Sequence, residues 1–185
     1  MIPNSVTPAD LLPLLPELVL IGSAFALLLL DLFIAERHRV ATHVLSIAVL
    51  VAVTAMLAMG TGGQGTVLNG MFIRDDMADT IKMVITGVSA AALVYGWTFL
   101  RERGLYKGEI PILMLFAVGG MMLLTSSGNL VMVYLGLELL ALCSYALVAI
   151  DRDSPLASEA AMKYFVLGAL ASGLLLYGMS LIYGA

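Results

Sequence analysis

The sequence predicts an all-α fold, a multi-pass bundle of transmembrane helices, and three observations carry that prediction. Of 185 residues, 61% are hydrophobic and only 12% charged, against roughly 45–50% apolar usage in soluble domains, and the mean hydropathy is +1.03. The apolar residues gather into six runs close to the ~20 residues that cross the hydrocarbon of a bilayer. None of these runs alternates polar with apolar residues, as the strands of a membrane barrel would.

In order, the runs read as helices over 11–33, 42–60, 77–99, 110–126, 130–150 and 157–183, one transmembrane domain covering 1–185. Four prolines (Pro3, Pro8, Pro13, Pro16) and no Lys or Arg occupy the first 16 residues. A cleavable signal peptide begins with a positive segment, so the first helix is expected to direct insertion itself. Glu17 opens that helix, where a carboxylate complements free N–H groups and the helix dipole, and Asp31 lies at its interfacial end. "ERHR" (36–39) is a loop, and the flanking His38 and His43 are read as solvated. The glycine-rich "GTGGQGTVLNG" (60–70) separates the second helix from the third. Lys82 follows Asp79 by three positions near the start of helix 3, a place to snorkel to the surface or to pair locally. "RERGLYKGE" (101–109), "SSGN" (126–129) and "DRDSP" (151–155) close the remaining connections. In the last of these, Ser154 can cap the sixth helix with Pro155 at its first position. "GALASG" (168–173) offers small residues four apart, Gly168 with Ser172 and Ala169 with Gly173, which suit close helix packing.

Orientation follows the basic residues. The loops after helices 1, 3 and 5 hold Arg37, Arg39, Arg101, Arg103, Lys107 and Arg152, and the opposite side holds only Arg74. The first set is expected on the cytoplasmic side, which puts the N-terminus outside. No basic stripe of the kind nucleic acid requires is present. No Cys/His cluster has metal-ligand spacing, and the single cysteine, Cys143, reads as a packing thiol. No nucleotide-binding glycine motif, Ser/His/Asp set or iron–sulfur ligand pattern occurs, so no catalytic residue, cofactor or metal is assigned to the chain. No lipidation motif is found either.

That leaves the acid in the middle of "YLGLELLALCSYALVA" (134–149). Glu138 stands eight residues beyond Leu130, about 12 Å into the membrane at ~1.5 Å per residue. An ionisable group at that depth costs roughly 2.5–3.5 kcal/mol on insertion scales, so a residue that merely filled space would be cheaper as Leu. Tyr134, Ala141 and Tyr145, at i−4, i+3 and i+7, share its face. An apolar surround favours the neutral acid and a neighbouring lysine favours the carboxylate; opposed, they leave a group able to exchange a proton. Lys163, with Glu159 one turn before it, is the second candidate: a proton carrier if buried, a snorkelling lysine tied to Glu159 if not. Helices 5 and 6 run in opposite directions, so Glu138 and Lys163 are expected to be offset along the membrane normal and linked through water.

The residues "LVMVYLGLELLALCSYALVA" followed by "DSPLASEAAMKYFVLGALASGLLLYGMSLIYGA" resemble the fifth and sixth helices of the subunit N family of bacterial NADH:quinone oxidoreductase, respiratory complex I. "PELVLIGSAFALLLLDLF" (16–33) is similar to that family's first helix. The resemblance implies the amino-terminal six helices of an antiporter-like fold in a bacterial inner membrane. It implies a share in a proton path coupled to quinone reduction, with Glu138 and Lys163 on that path. Tyr134, Tyr145, Glu159 and Lys82 are secondary polar candidates. NADH, FMN, iron–sulfur clusters and quinone would belong to other subunits, and the partners would be neighbouring membrane subunits, antiporter-like ones among them. Members of the family continue into a broken seventh helix carrying a lysine, so this sequence is expected to be the first part of a longer subunit. Competing readings are a related cation/proton antiporter complex and a structural or assembly subunit without proton traffic.

Overall fold

The computed structural model describes residues 8–33 and 39–184. A 3-10 segment, Pro8–Leu14, leads into α1 (Leu15–Phe33), followed by α2 (Arg39–Ala58), a hairpin of β1 (Gly65–Val67) and β2 (Phe72–Arg74), then α3 (Asp76–Glu102), α4 (Glu109–Thr125), α5 (Leu130–Val148) and α6 (Pro155–Gly184). Five of the helical segments are long and apolar enough to cross a membrane, and α4, with 17 residues, is a shorter apolar helix. The all-α class and the six helices agree with the sequence expectation. Most of the "ERHR" loop, His38 included, lies outside the described residues.

Helix ends depart from expectation where capping outweighs hydropathy. Asp75 accepts a hydrogen bond from the Ala78 amide at 2.7 Å, so α3 starts at Asp76, and it runs on through charged residues to Glu102. Asn129 caps α5 by accepting from the Met132 amide at 2.9 Å. Ser154 does the same for α6 through the Ala157 amide at 3.4 Å, with Pro155 at the first position.

The glycine-rich loop is ordered, not open. Thr66 pairs with Ile73 and Val67 with Phe72 across the antiparallel hairpin. Its tip holds Leu68 (φ 54°), Asn69 (φ 56°) and Gly70 (φ 85°) in the left-handed region. The hairpin bonds to the α4–α5 turn, Ile73 N donating to Ser126 O at 2.8 Å and Gly128 N to Met71 O at 2.7 Å. One end of the bundle is thereby closed over Phe72, which is fully buried.

The core follows helical spacing. Leu20, Ala24 and Leu27 of α1 meet Leu50, Val53 and Leu57 of α2, Ala90 and Leu93 of α3, and Ile112, Leu115, Val118 and Met122 of α4. The helix apolar on every face belongs in the middle, and α4 accordingly packs against α1, α2, α3 and α5. Glycines set the α4–α5 distance: a Cβ on Gly136 would lie 2.9 Å from Gly120 O, and one on Gly120 2.8 Å from Gly136 O. Helix α6 rests on α5, and none of its residues is buried among the described residues. Of the "GALASG" pairs, Gly168 lies against the Tyr145 ring while Gly173 faces open space, so the packing reading holds for the first pair alone.

Candidate functional site

Glu138 is half-buried on α5. Its carboxyl lies one turn from the Tyr134 phenol and interacts with it electrostatically. Tyr134 also lines a crevice of about 210 Å³ between α5 and the far end of α6, with Leu130, Leu176, Met179 and Tyr183. Tyr145, two turns beyond Glu138, lines a second crevice of about 410 Å³ at the other end of the same helix pair, with Ala149, Ser158 and Met162. Tyr134 and Tyr145, on the face of α5 that also carries Glu138, thus each line an opening near one end of the helix. Tyr145 turns toward α6, its ring 4.9 Å from that of Tyr164 and 5.6 Å from that of Phe165.

Lys163 and Glu159 form an i,i+4 ion pair at 2.6 Å, both well exposed on α6. Among the described residues no ion pair joins Glu138 to Lys163.

Two assignments of the sequence are corrected. Lys82 neither snorkels nor pairs with Asp79: it is 0% exposed and its Nζ lies 2.5 Å from Glu17 Oε1 on α1, with the Phe72 ring 5.0 Å away. The reason is competition. The Arg74 guanidinium takes both Asp79 oxygens, Nε donating at 2.8 and 3.1 Å, and its Nη1 donates to Thr61 O at 2.8 Å and Pro13 O at 3.3 Å. Arg74 reaches Asp79 through Nε while Nη1 holds the two carbonyls, a spread of donors that an ammonium lacks, so Asp79 is engaged by arginine and Lys82 pairs with Glu17. Glu17 is in the first turn of α1, as expected, but its partner is lysine in addition to the helix terminus. His43, read as solvated, is 4% exposed: its Nε2 meets Leu93 O at 3.1 Å and its ring packs 4.6 Å from that of Trp97. Asp31 lies as expected near the end of α1, where it accepts a hydrogen bond from Thr42 Oγ1 at 2.7 Å.

Glu17 and Lys82 were each visible as acids and bases in apolar helices. Their pairing was not, because 65 residues separate them and no local spacing links them. The signal that could have found them is the shortage of any other opposite charge at that depth once Arg74 is given to Asp79.

Helices long and apolar enough to cross a membrane, two of them joined by a buried lysine–carboxylate pair, define a polytopic membrane protein. Residues 127–185 match the family described as NADH:quinone oxidoreductase/Mrp antiporter, TM. NADH-quinone oxidoreductase subunit N of Xanthomonas euvesicatoria pv. vesicatoria (strain 85-10) is 71% identical over 180 residues, 97% of this chain and 37% of that protein. The protein of the same name from Thioalkalivibrio sulfidiphilus (strain HL-EbGR7) is 45% identical over 95% of this chain and 37% of its own length. Among solved structures, a chain of respiratory complex I from Thermus thermophilus with bound aureothin superposes with a TM-score of 0.74 at 28% identity, over 92% of this chain and 36% of that one. The chain belongs to the family of antiporter-like membrane subunits of NADH:quinone oxidoreductase. It spans about a third of the length of the curated relatives it matches.

Proposed function

We propose that this chain forms part of a membrane subunit of a proton-translocating NADH:quinone oxidoreductase and contributes one section of a proton path coupled to quinone reduction. The observation that carries the reading is Glu138, half-buried in mid-helix, in contact with Tyr134 and set on a face that ends in a crevice at either side. In this reading Glu138 gains and loses a proton as the complex cycles. Tyr134 and Tyr145 bridge water toward it, and Lys163 with Glu159 biases charge on the neighbouring helix. Lys82 with Glu17 is a secondary polar pair. Electron transfer from NADH through FMN and iron–sulfur clusters to quinone takes place in other subunits, and the partners include neighbouring antiporter-like membrane subunits. The N-terminus faces the periplasm of a bacterial inner membrane. The excess of Lys and Arg in the loops after helices 1, 3 and 5 supports this, as does the burial of Arg74, the single basic residue counted on the other side.

The test is Glu138→Gln in the complete complex, reconstituted in proteoliposomes. The reading expects protons moved per NADH oxidised to fall several-fold, with assembly intact. Pumping equal to wild type would overturn it. Loss of assembled complex with normal turnover per complex would favour a structural role instead, and copurification without quinone-reducing subunits would favour a cation/proton antiporter assembly.

A further inference from the structure

Position 168 on α6 is bare backbone, and the tip of Tyr145 from α5 fills the notch it leaves. A Cβ on Gly168 would lie 2.6 Å from Tyr145 Cζ and 2.8 Å from Cε1, and closer still to the hydroxyl. The ring is fixed in that place by two aromatics of α6, Tyr164 at 4.9 Å and Phe165 at 5.6 Å, both edge-on. Any side chain at 168 must therefore push the phenol out.

The notch also sets the height of the hydroxyl. α5 and α6 run antiparallel: Ala149 shares a crevice with Ser158 and Ala161, and Tyr145 faces Phe165. Gly168 is three residues past Phe165, about 4.5 Å further at ~1.5 Å per residue, in the direction of Glu138. A long helical side chain leans toward the N-terminus of its helix, which on α5 is the same direction. Glu138 precedes Tyr145 by seven residues, about 10.5 Å along the axis and on the same face. The hydroxyl accordingly stands roughly 6 Å from the level of the Glu138 backbone, about one turn. Between them on that face is Ala141, with only a methyl. On its other side Tyr145 borders the crevice of about 410 Å³ that Ser158 and Met162 also line.

We infer that Gly168 is a positioning residue of the proton path, holding the Tyr145 hydroxyl between the α5–α6 crevice and Glu138 so that the phenol relays protons to the acid. This rests on the reading of Glu138 as a group that gains and loses a proton. A phenol both donates and accepts. A proton passed by water in the crevice to the phenol oxygen is matched by the phenol's own proton leaving through water to the Glu138 carboxylate. The phenol ends neutral, and one proton has moved from the crevice to the acid. Phenylalanine at 145 fills the notch but neither accepts nor donates. Alanine at 168 keeps the phenol and displaces it.

The experiment uses the complete complex in proteoliposomes, with Tyr145→Phe, Gly168→Ala, the two combined, and Glu138→Gln alongside. Gly173→Ala on the same helix, which meets open space, is the control. Tyr145→Phe and Gly168→Ala are each expected to lower protons moved per NADH oxidised several-fold at a wild-type quantity of complex. The double variant is expected to pump no worse than either single one, because both interrupt the same step. The solvent deuterium isotope effect on pumping is expected to rise in both, a change that a packing defect does not produce, and Gly173→Ala to match wild type in every respect. Wild-type pumping in Tyr145→Phe or Gly168→Ala while Glu138→Gln is impaired would overturn this inference alone. So would additive losses in the double variant, an unchanged isotope effect, or failure of Gly168→Ala to assemble, which would assign the glycine to packing. Wild-type pumping in Glu138→Gln would overturn the underlying reading, and the inference with it.

Discussion

Lys82 Nζ stands 2.5 Å from Glu17 Oε1, tying α3 to α1 with neither side chain reaching the surface. Removing one member of a buried pair strands the other, at a cost of about 3–5 kcal/mol, whereas replacing both by apolar groups of similar size is often neutral. Lys82→Met is therefore expected to lower the yield and thermal midpoint of the assembled subunit sharply, and Glu17→Leu combined with Lys82→Met to recover most of the loss. Thermal inactivation of the purified complex measures both. Equal damage from the single and the double variant would mean that the ion pair is not what stabilises the contact.

Arg74 does a different job from Lys82 although both are buried cations. Its guanidinium gathers Asp79, Thr61 O and Pro13 O, fastening the hairpin and the segment before α1 to the start of α3. An ammonium cannot make this set of bonds at once. Arg74→Lys is expected to loosen residues 60–75 with little change in helix content, seen as faster amide exchange confined to that stretch. Asp79→Asn should loosen the same stretch to a smaller degree.

How much of this the sequence disclosed depends on the range of the interaction. Glu138 could be singled out because a carboxyl in an apolar helix is costly wherever its neighbours are, and Ser154–Pro155 because capping is a property of four consecutive residues. Lys82 was misassigned because its nearest acid in sequence, Asp79, is claimed by an arginine that only the hairpin brings round. His43 was misread for a similar reason. Nothing local says that Trp97 and Tyr106, more than 50 positions away, will close over it. The glycine-rich loop gave no strand signal because its strands are three residues each, too short for alternation to register.

The same contrast holds for the small residues. "GALASG" drew notice as a motif, yet the close backbone contact between α4 and α5 is made by Gly120 and Gly136, glycines on two different helices and outside that motif. A methyl on Gly136 must displace the α4 backbone, and overpacking of this kind costs about 1–3 kcal/mol. Gly136→Ala is expected to destabilise the subunit by that amount in a denaturant or thermal assay. Gly173→Ala, which meets open space, should be neutral in the same assay, and equal costs for the two would show that backbone contact between α4 and α5 is not the limiting factor.

Tyr134 separates two possible meanings of Glu138. If the phenol serves only to pair with the carboxyl, Tyr134→Phe lowers the thermal midpoint slightly and leaves pumping untouched. If it bridges water between the crevice at Leu130 and Leu176 and the acid, the same substitution slows proton delivery while the complex stays assembled. The proposed path requires the second outcome: a several-fold lower pumping rate in proteoliposomes with a normal quantity of complex. Glu159→Gln supplies the comparison. Its partner Lys163 is exposed, an i,i+4 surface pair contributes only about 0.3–0.5 kcal/mol, and stability should barely move. Any loss of pumping in that variant then reports on charge along α6, and a wild-type rate in both variants would remove the tyrosine and the α6 pair from the proton path together.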